Sequence, residues 1–254
     1  MPNHWYEAYE RGRPGYPSEV VHIPGLPSSA TVVEIGAGTG KLTRLLVATF
    51  ARVAAIEPDD QMRAWLTVLC PKAEAIAGSG EQIPLPSATA DAVFAAQSFH
   101  WFANERALAE IARVLRPGGA LVLMWNVPAG RTEPSIVAVE QLLEPHWPKD
   151  WDLPLDLGLS RAGHAAGDWQ VALAQSVFEE PRQVRLPNPQ SVGPEELVAF
   201  FGSMGWIATL PDDKRLTLLG EVRSLLTASE YRLPWEAHVY WTRLAPGSEA
   251  KVTL

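Results

Sequence analysis

The amino-acid sequence predicts an α/β fold built on a largely parallel sheet, and three observations carry that prediction. Between residues 31 and 125, short apolar runs alternate with segments of helical periodicity. A glycine-rich turn joins the first run to the first periodic segment. The links are short, and strand–helix–strand in that rhythm requires right-handed crossovers between parallel neighbours.

Thr31–Ile35 is a short apolar run that ends in glycines and reads as a buried strand. Leu42, Leu45, Leu46 and Thr49 then recur at helical spacing. Arg52–Ile56 is the second strand and Asp59–Leu69 the next helix, with Asp59 or Asp60 as its cap. Ala73–Ala77 and Asp91–Ala96 are the third and fourth strands. Asn104–Leu115 puts Ala107, Leu108, Ile111, Val114 and Leu115 on one helical face. Arg116-Pro117-Gly118-Gly119 stops that helix, because proline cannot continue it, and Ala120–Trp125 is the fifth strand. Beyond Asn126, Ile136–Leu143 reads as a helix and residues 145–170 as irregular and rich in Pro, Trp, Asp and Gly. Gln175–Leu186 reads as a strand, Glu195–Met204 and Leu210–Leu226 as helices, and Ala237–Leu244 as a closing strand.

A chain of 254 residues suits a single domain. Its expected parts are an N-terminal lid (1–30), a core (31–125), a cap insertion (126–175) and a segment completing the sheet (176–254). With 47% apolar and 20% charged residues it can bury a sizeable core. A net charge of −8 disfavours a broad nucleic-acid surface, which needs clustered Lys and Arg, and suits a small-molecule partner. Cys70 is the only cysteine, so neither an intrachain disulfide nor a cysteine-based zinc cluster is expected, and it reads as a small buried hydrophobe. The N-terminal segment lacks the apolar core of a secretory signal, and no 18 apolar residues run uninterrupted. The expectations are a cytoplasmic protein without a membrane partner, monomeric or homodimeric. Trp147, Trp151, Trp169, Trp206, Trp235 and Trp241 crowd the second half, suiting either core packing or an aromatic pocket.

The sharpest motif is Val33-Glu34-Ile35-Gly36-Ala37-Gly38-Thr39-Gly40, set between a strand and a helix. Glycines there let a ligand lie against backbone and supply unusual dihedrals for a tight turn. A dinucleotide fingerprint would place its third glycine at position 41, where this chain has Lys41. The spacing G-x-G-x-G after an acidic residue is instead that of class I methyltransferases.

The chain resembles the "type 11" branch of class I S-adenosylmethionine-dependent methyltransferases in five ordered segments: YERGRPGYP, VVEIGAGTGKLTRLL, VAAIEPDDQM, GSGEQIPLPSATADAVFAAQSFHWF and EIARVLRPGGALVLMWN. The resemblance covers nearly all of residues 6–126 and implies a Rossmann-like, mostly parallel seven-stranded sheet with an antiparallel C-terminal strand and a helical or irregular insertion. It implies S-adenosyl-L-methionine as cofactor and S-adenosyl-L-homocysteine as product. By the same resemblance Gly36, Gly38 and Gly40 form the loop under the methionyl part, with Glu34 at its edge. Glu57 closes the second strand, where its carboxylate can accept both ribose hydroxyls. Met62 packs on the adenine face or in the helix core. Ser79 meets the adenine amino group, Gly80 and Glu81 add backbone contacts, and Gln97 lies near the methionyl amine. The family usually carries an acidic residue and an alanine where Ser79 and Gly80 stand. Tyr9, Arg13 and Tyr16 match an opening motif that folds over the cofactor, with Arg13 pairing the methionyl carboxylate.

Methyl transfer from a sulfonium is an in-line displacement, so alignment and exclusion of water are the protein's main tasks. No metal is expected, since the six histidines show no ligand spacing. His100 and Trp101 are the residues best placed to face the reacting centre. His100 serves either as a base or as a structural histidine bonded to backbone. Phe99, Trp101, Met204 and Trp206 are candidates to line the acceptor pocket, with core packing as the alternative. Two other functions stay open: a nicotinamide-dependent oxidoreductase, and a non-catalytic protein that binds S-adenosylmethionine or a partner.

Overall fold

The computed structural model describes residues 3–129, 133–146 and 168–246. Its strands are β1 (Thr31–Ile35), β2 (Arg52–Ile56), β3 (Glu74–Ile76), β4 (Ala90–Ala96), β5 (Leu115–Pro128), β6 (Arg182–Pro187), β7 (Gln190–Val192), β8 (Tyr231–Leu233) and β9 (Trp235–Arg243). Its helices are α1 (Asn3–Gly12), α2 (Thr43–Thr49), α3 (Asp60–Leu69), α4 (Glu105–Val114), α5 (Pro134–Leu143), α6 (Asp168–Ala174), α7 (Pro194–Gly202), α8 (Gly205–Ala208) and α9 (Asp212–Leu225). Trp147, Trp151 and most of the expected irregular stretch 145–170 lie outside the described residues. The chain forms two compact units.

One unit comprises Tyr16–Trp125, Gly163–Leu186 and Ala237–Leu254 and holds the main sheet. Its seven strands run in the order β3-β2-β1-β4-β5-β9-β6, mostly parallel, with β9 as the antiparallel member. β1 sits between β2 and β4 in parallel register, Val33 facing Ala54 on one side and Val93 on the other. From β1 the chain winds outward through β2 to β3, then returns to the other side of β1 to lay down β4 and β5. That reversal opens a crevice at the carboxyl ends of β1 and β4, where open α/β sheets bind ligands. β4 is buried along nearly its whole length, which explains why Ala92–Ala96 reads as an unbroken apolar run. Val32, Phe94, Val122 and Val239 join Leu42, Leu46 and Phe50 in one core.

Two boundaries differ from the sequence reading. Arg116–Gly119 belongs to β5, which begins at Leu115 directly after α4. Leu115 pairs with Ala90, the register shifts, and pairing resumes at Ala92 with Ala120, so the four residues form a bulge. Arg116 donates to Asp91 across it at 2.5 Å, and Asp91 also accepts the Thr31 N–H at 2.7 Å. The expected strand over Gln175–Leu186 starts only at Arg182. Ser176 donates to Leu173 O at the end of α6, and Pro181 has no N–H to give a ladder.

The caps are sequence-local. Asp59 accepts the N–H groups of Gln61 and Met62, and Asn104 accepts that of Ala107. Asn104→Ala should therefore cost about 1 kcal/mol in chemical denaturation.

The other unit comprises Met1–Gly15, Asn126–Ala162 and Pro187–Glu236. Ile136, Val139 and Leu143 of α5 pack with Leu197, Phe200 and Phe201 of α7 and Leu218 and Val222 of α9. α1 lies on α7, and the Trp5 indole donates to Ser203 O at 2.8 Å. β7 and β8 form a separate antiparallel pair. Gly15 O accepts from both Asn126 and Asn188, and Asn188 also donates to Asn126 Oδ1, so a buried amide pair ties down the N-terminal segment. Among the described residues no helix is long and apolar enough to cross a membrane.

Candidate active site

The loop after β1 turns sharply because Gly36, Gly38 and Gly40 all have positive φ, at 68°, 58° and 92°. Gly36 also has no room for a side chain. A Cβ there would fall 2.5 Å from Ser98 Cβ, in the segment that leaves β4. Ser98 is held in place by donating to Ile35 O at 2.8 Å. At Gly40 a Cβ would fall 2.6 Å from Cys70 Sγ, which is buried as expected. Two of the three glycines are thus required by the protein's own packing.

Glu57 stands at the carboxyl end of β2 and is buried. Its Oε2 accepts the Gly38 N–H at 2.8 Å and its Oε1 the Asp59 N–H at 2.9 Å. One carboxylate thereby joins the glycine loop to the start of α3. Burial raises its pKa, opposed by those two backbone bonds. Glu34, expected at the loop edge, is instead sealed in the core, where Thr43 donates to its Oε2 at 2.5 Å. Burial pushes its pKa to about 8; the Thr43 bond lowers it and the Glu57 charge adds to the rise. Glu34 therefore carries its proton at neutral pH. Met62 is buried on α3.

After β3, Ser79 and Gln82 bond each other's backbone in a tight turn. A Cβ on Gly80 would strike the Phe102 ring at 2.3 Å. Glu81 accepts from Asn104 Nδ2 at 3.1 Å. Phe102 fills the space a side chain at position 80 would need, so only glycine fits there.

Gln97, directly after β4, has φ 53°, a left-handed conformation uncommon outside glycine, and its N–H donates to Met124 O. A 3₁₀ turn, Phe99–Trp101, follows. Phe99 is fully buried edge-on to Phe102, whereas Trp101 is 80% exposed. His100 Nδ1 accepts from the Trp125 indole at 3.2 Å. Trp125 was read only as the end of a strand, so this partnership escaped sequence reasoning; the β4–β5 register, Ala96 facing Met124, is what creates it.

The remaining candidates belong to the helical unit. The Arg13 guanidinium lies between the rings of Tyr9 and Phe200, 5.7 and 5.1 Å from their centroids, and Nε donates to Ser203 Oγ at 2.7 Å. Met204 and Trp206 are buried in that unit's core. Trp169 and Trp235 are also buried, so most of the described second-half tryptophans serve packing, and Trp241 meets the guanidinium groups of Arg182 and Arg243.

Comparison with known proteins follows the same lines. Residues 33–123 match the family model described as "Methyltransferase domain". An uncharacterized methyltransferase of Mycobacterium bovis is 37% identical over 221 residues, covering 86% of this chain and 82% of that protein. An uncharacterized methyltransferase of Schizosaccharomyces pombe is 31% identical over 223 residues, covering 86% of this chain and 84% of that protein. In fold the chain is similar to a protein assigned as a type II methyltransferase from Anaeromyxobacter dehalogenans, with TM-score 0.68 at 22% identity, covering 92% of this chain and 99% of that one. A SAM-dependent methyltransferase from Aquifex aeolicus aligns with TM-score 0.52 at 15% identity, covering 95% and 98%.

Proposed function

The chain belongs to the methyltransferase family, and on that premise we propose that it binds S-adenosyl-L-methionine at the Gly36–Gly40 loop and methylates a small molecule. The observation that carries this reading is Glu57. Each of its oxygens accepts one backbone N–H, and a carboxylate oxygen has capacity for a further bond. Two adjacent ribose hydroxyls match that capacity, and the same carboxylate holds Gly38 in the loop. The left-handed Gln97 lies at the carboxyl end of β4, beside the loop through Ser98.

When bound, the donor supplies a methyl group already activated by positive sulfur. The chain's own residues then have to bind, align and exclude water. Glu57 and Gly38 fix the donor's position, and the buried Phe99 and Phe102 keep the floor of the crevice dry. The acidic net charge of the chain supports a small acceptor over a nucleic acid.

Calorimetry should detect S-adenosyl-L-homocysteine binding and none of NAD. Glu57→Ala should weaken that binding roughly thirtyfold, on the order of the 2 kcal/mol expected for bonds to a charged group. Affinity unchanged by this substitution would place the donor elsewhere. A metabolite panel scored by S-adenosyl-L-homocysteine formation then separates an enzyme from a binding protein.

A further inference from the structure

The Phe102 ring stands between two loops of the main-sheet unit. A Cβ built on Gly80, in the turn after β3, would lie 2.7 Å from its Cε2, 2.8 Å from its Cγ and closer still to Cδ2. A Cβ built on Gly36, in the loop after β1, would meet its Cε1 at 3.9 Å. Cδ2 and Cε1 are para to each other, so opposite edges of one ring face the two glycines. We infer that Phe102 is a positioning residue whose ring sets the spacing between the loop after β1 and the turn after β3, so that one S-adenosyl donor reaches both. This rests on the methyltransferase reading, with the methionyl part at the loop and the adenine at Ser79–Glu81.

The turn is fastened to α4 and the residues before it. Asn104 Nδ2 donates to Glu81 Oε1 at 3.1 Å, Arg106 Nε to Glu81 O at 3.1 Å, and the Ile83 N–H to Glu110 Oε2 at 2.9 Å. Phe102 is anchored at the same place. Its N–H donates to Phe99 O at 3.0 Å, and its carbonyl accepts the Asn104 N–H at 2.8 Å. The ring is buried and meets Phe99 edge-on, with centroids 5.4 Å apart. On the other side, the Gly36 N–H donates to Ile56 O at 2.9 Å, and Ser98 donates to Ile35 O.

Close-packed interiors transmit a change of side-chain size instead of absorbing it. The width of one buried ring therefore becomes the distance between two half-sites. A ligand that must touch both is sensitive to that distance, since a misplacement of about 1 Å can cost about a hundredfold where alignment matters.

A size swap tests this. Gly80 is not among the left-handed glycines, and the three atoms nearest an added methyl all belong to the Phe102 ring, so alanine there acts through that ring. In calorimetry, Gly80→Ala should weaken S-adenosyl-L-homocysteine binding about tenfold, and Phe102→Leu alone about fivefold. The double variant, in which the smaller side chain admits the methyl, should bind within about threefold of the parent. Unchanged affinity in Gly80→Ala, or a double variant that binds no tighter than Gly80→Ala, overturns the inference. Urea midpoints measured alongside separate a merely structural role: lower midpoints with donor affinity intact in both single variants also overturn it. If Gly80→Ala does not fold, Phe102→Leu alone decides, and affinity equal to the parent's overturns the inference. A parent protein that binds no S-adenosyl-L-homocysteine sinks the methyltransferase reading and this inference together, whereas parent binding that the variants leave unchanged sinks the inference alone.

Discussion

Gly36→Ala should lose about 3 kcal/mol of folding stability and all measurable affinity for S-adenosyl-L-homocysteine. Two separate costs add at this position. The backbone is left-handed, with φ 68°, which costs an L-residue about 1–2 kcal/mol. The new methyl would also lie 2.5 Å from Ser98 Cβ, and overpacking of that kind costs about 1–3 kcal/mol. Ser98 cannot step aside without breaking its bond to Ile35 O. Urea denaturation reads the first effect and calorimetry the second. Adding Ser98→Gly should recover roughly half of the lost stability, because it removes the clash and leaves the dihedral cost. A single-variant loss under about 1 kcal/mol would mean that the loop re-forms around the methyl.

The protein should lose stability as pH rises from about 5 to 8, and Glu34→Gln should flatten that decline. Below the ordinary carboxylate range, near 4.5, Glu34 is protonated whether the chain is folded or not. Between there and about 8, the unfolded chain ionises while the folded one keeps its proton, so the unfolded state gains. The accumulated effect is on the order of 5 kcal/mol, complete once the pH exceeds the folded pKa. Glutamine retains an oxygen for the Thr43 hydroxyl and has nothing to ionise. It should therefore match the parent protein near pH 5 and exceed it by a few kcal/mol near pH 8. Glu57, also raised, contributes to the slope in both proteins and cancels in the comparison. Parallel slopes for the two proteins would show that Glu34 is ionised in the fold.

What could be read from the chain was whatever is written locally. β1 and β2 end where the apolar runs end, because period and punctuation act within a few residues. The Asp59 and Asn104 caps are also local, each reaching an N–H two or three residues on. The bulge at Arg116–Gly119 was hidden because Pro-Gly-Gly signals a turn equally well between elements or inside a strand whose partner shifts register. β7 and β8 have three residues each and lie some forty residues apart, too short to show a period. In the site, glycine spacing and the acid after β2 located the loop. The burial of Glu34 and the pairing of His100 with Trp125 depend on neighbours across the sheet, which one-dimensional spacing does not record. Phe99, Met204 and Trp206 show the same limit, since a large apolar side chain that lines a pocket and one that fills a core look alike until the packing is known.

The place of β9 governs the order in which this protein can assemble. β6 is made some fifty residues before the strand that separates it from β5, and it has no other neighbour in the sheet. During vectorial synthesis, β3-β2-β1-β4-β5 can pair as soon as residue 128 clears the ribosome, but β6 must wait unpaired until Trp235–Arg243 arrives. Nascent chains halted before Trp235 should therefore present β5 as a naked edge prone to self-association, and release of the final strand should abolish it.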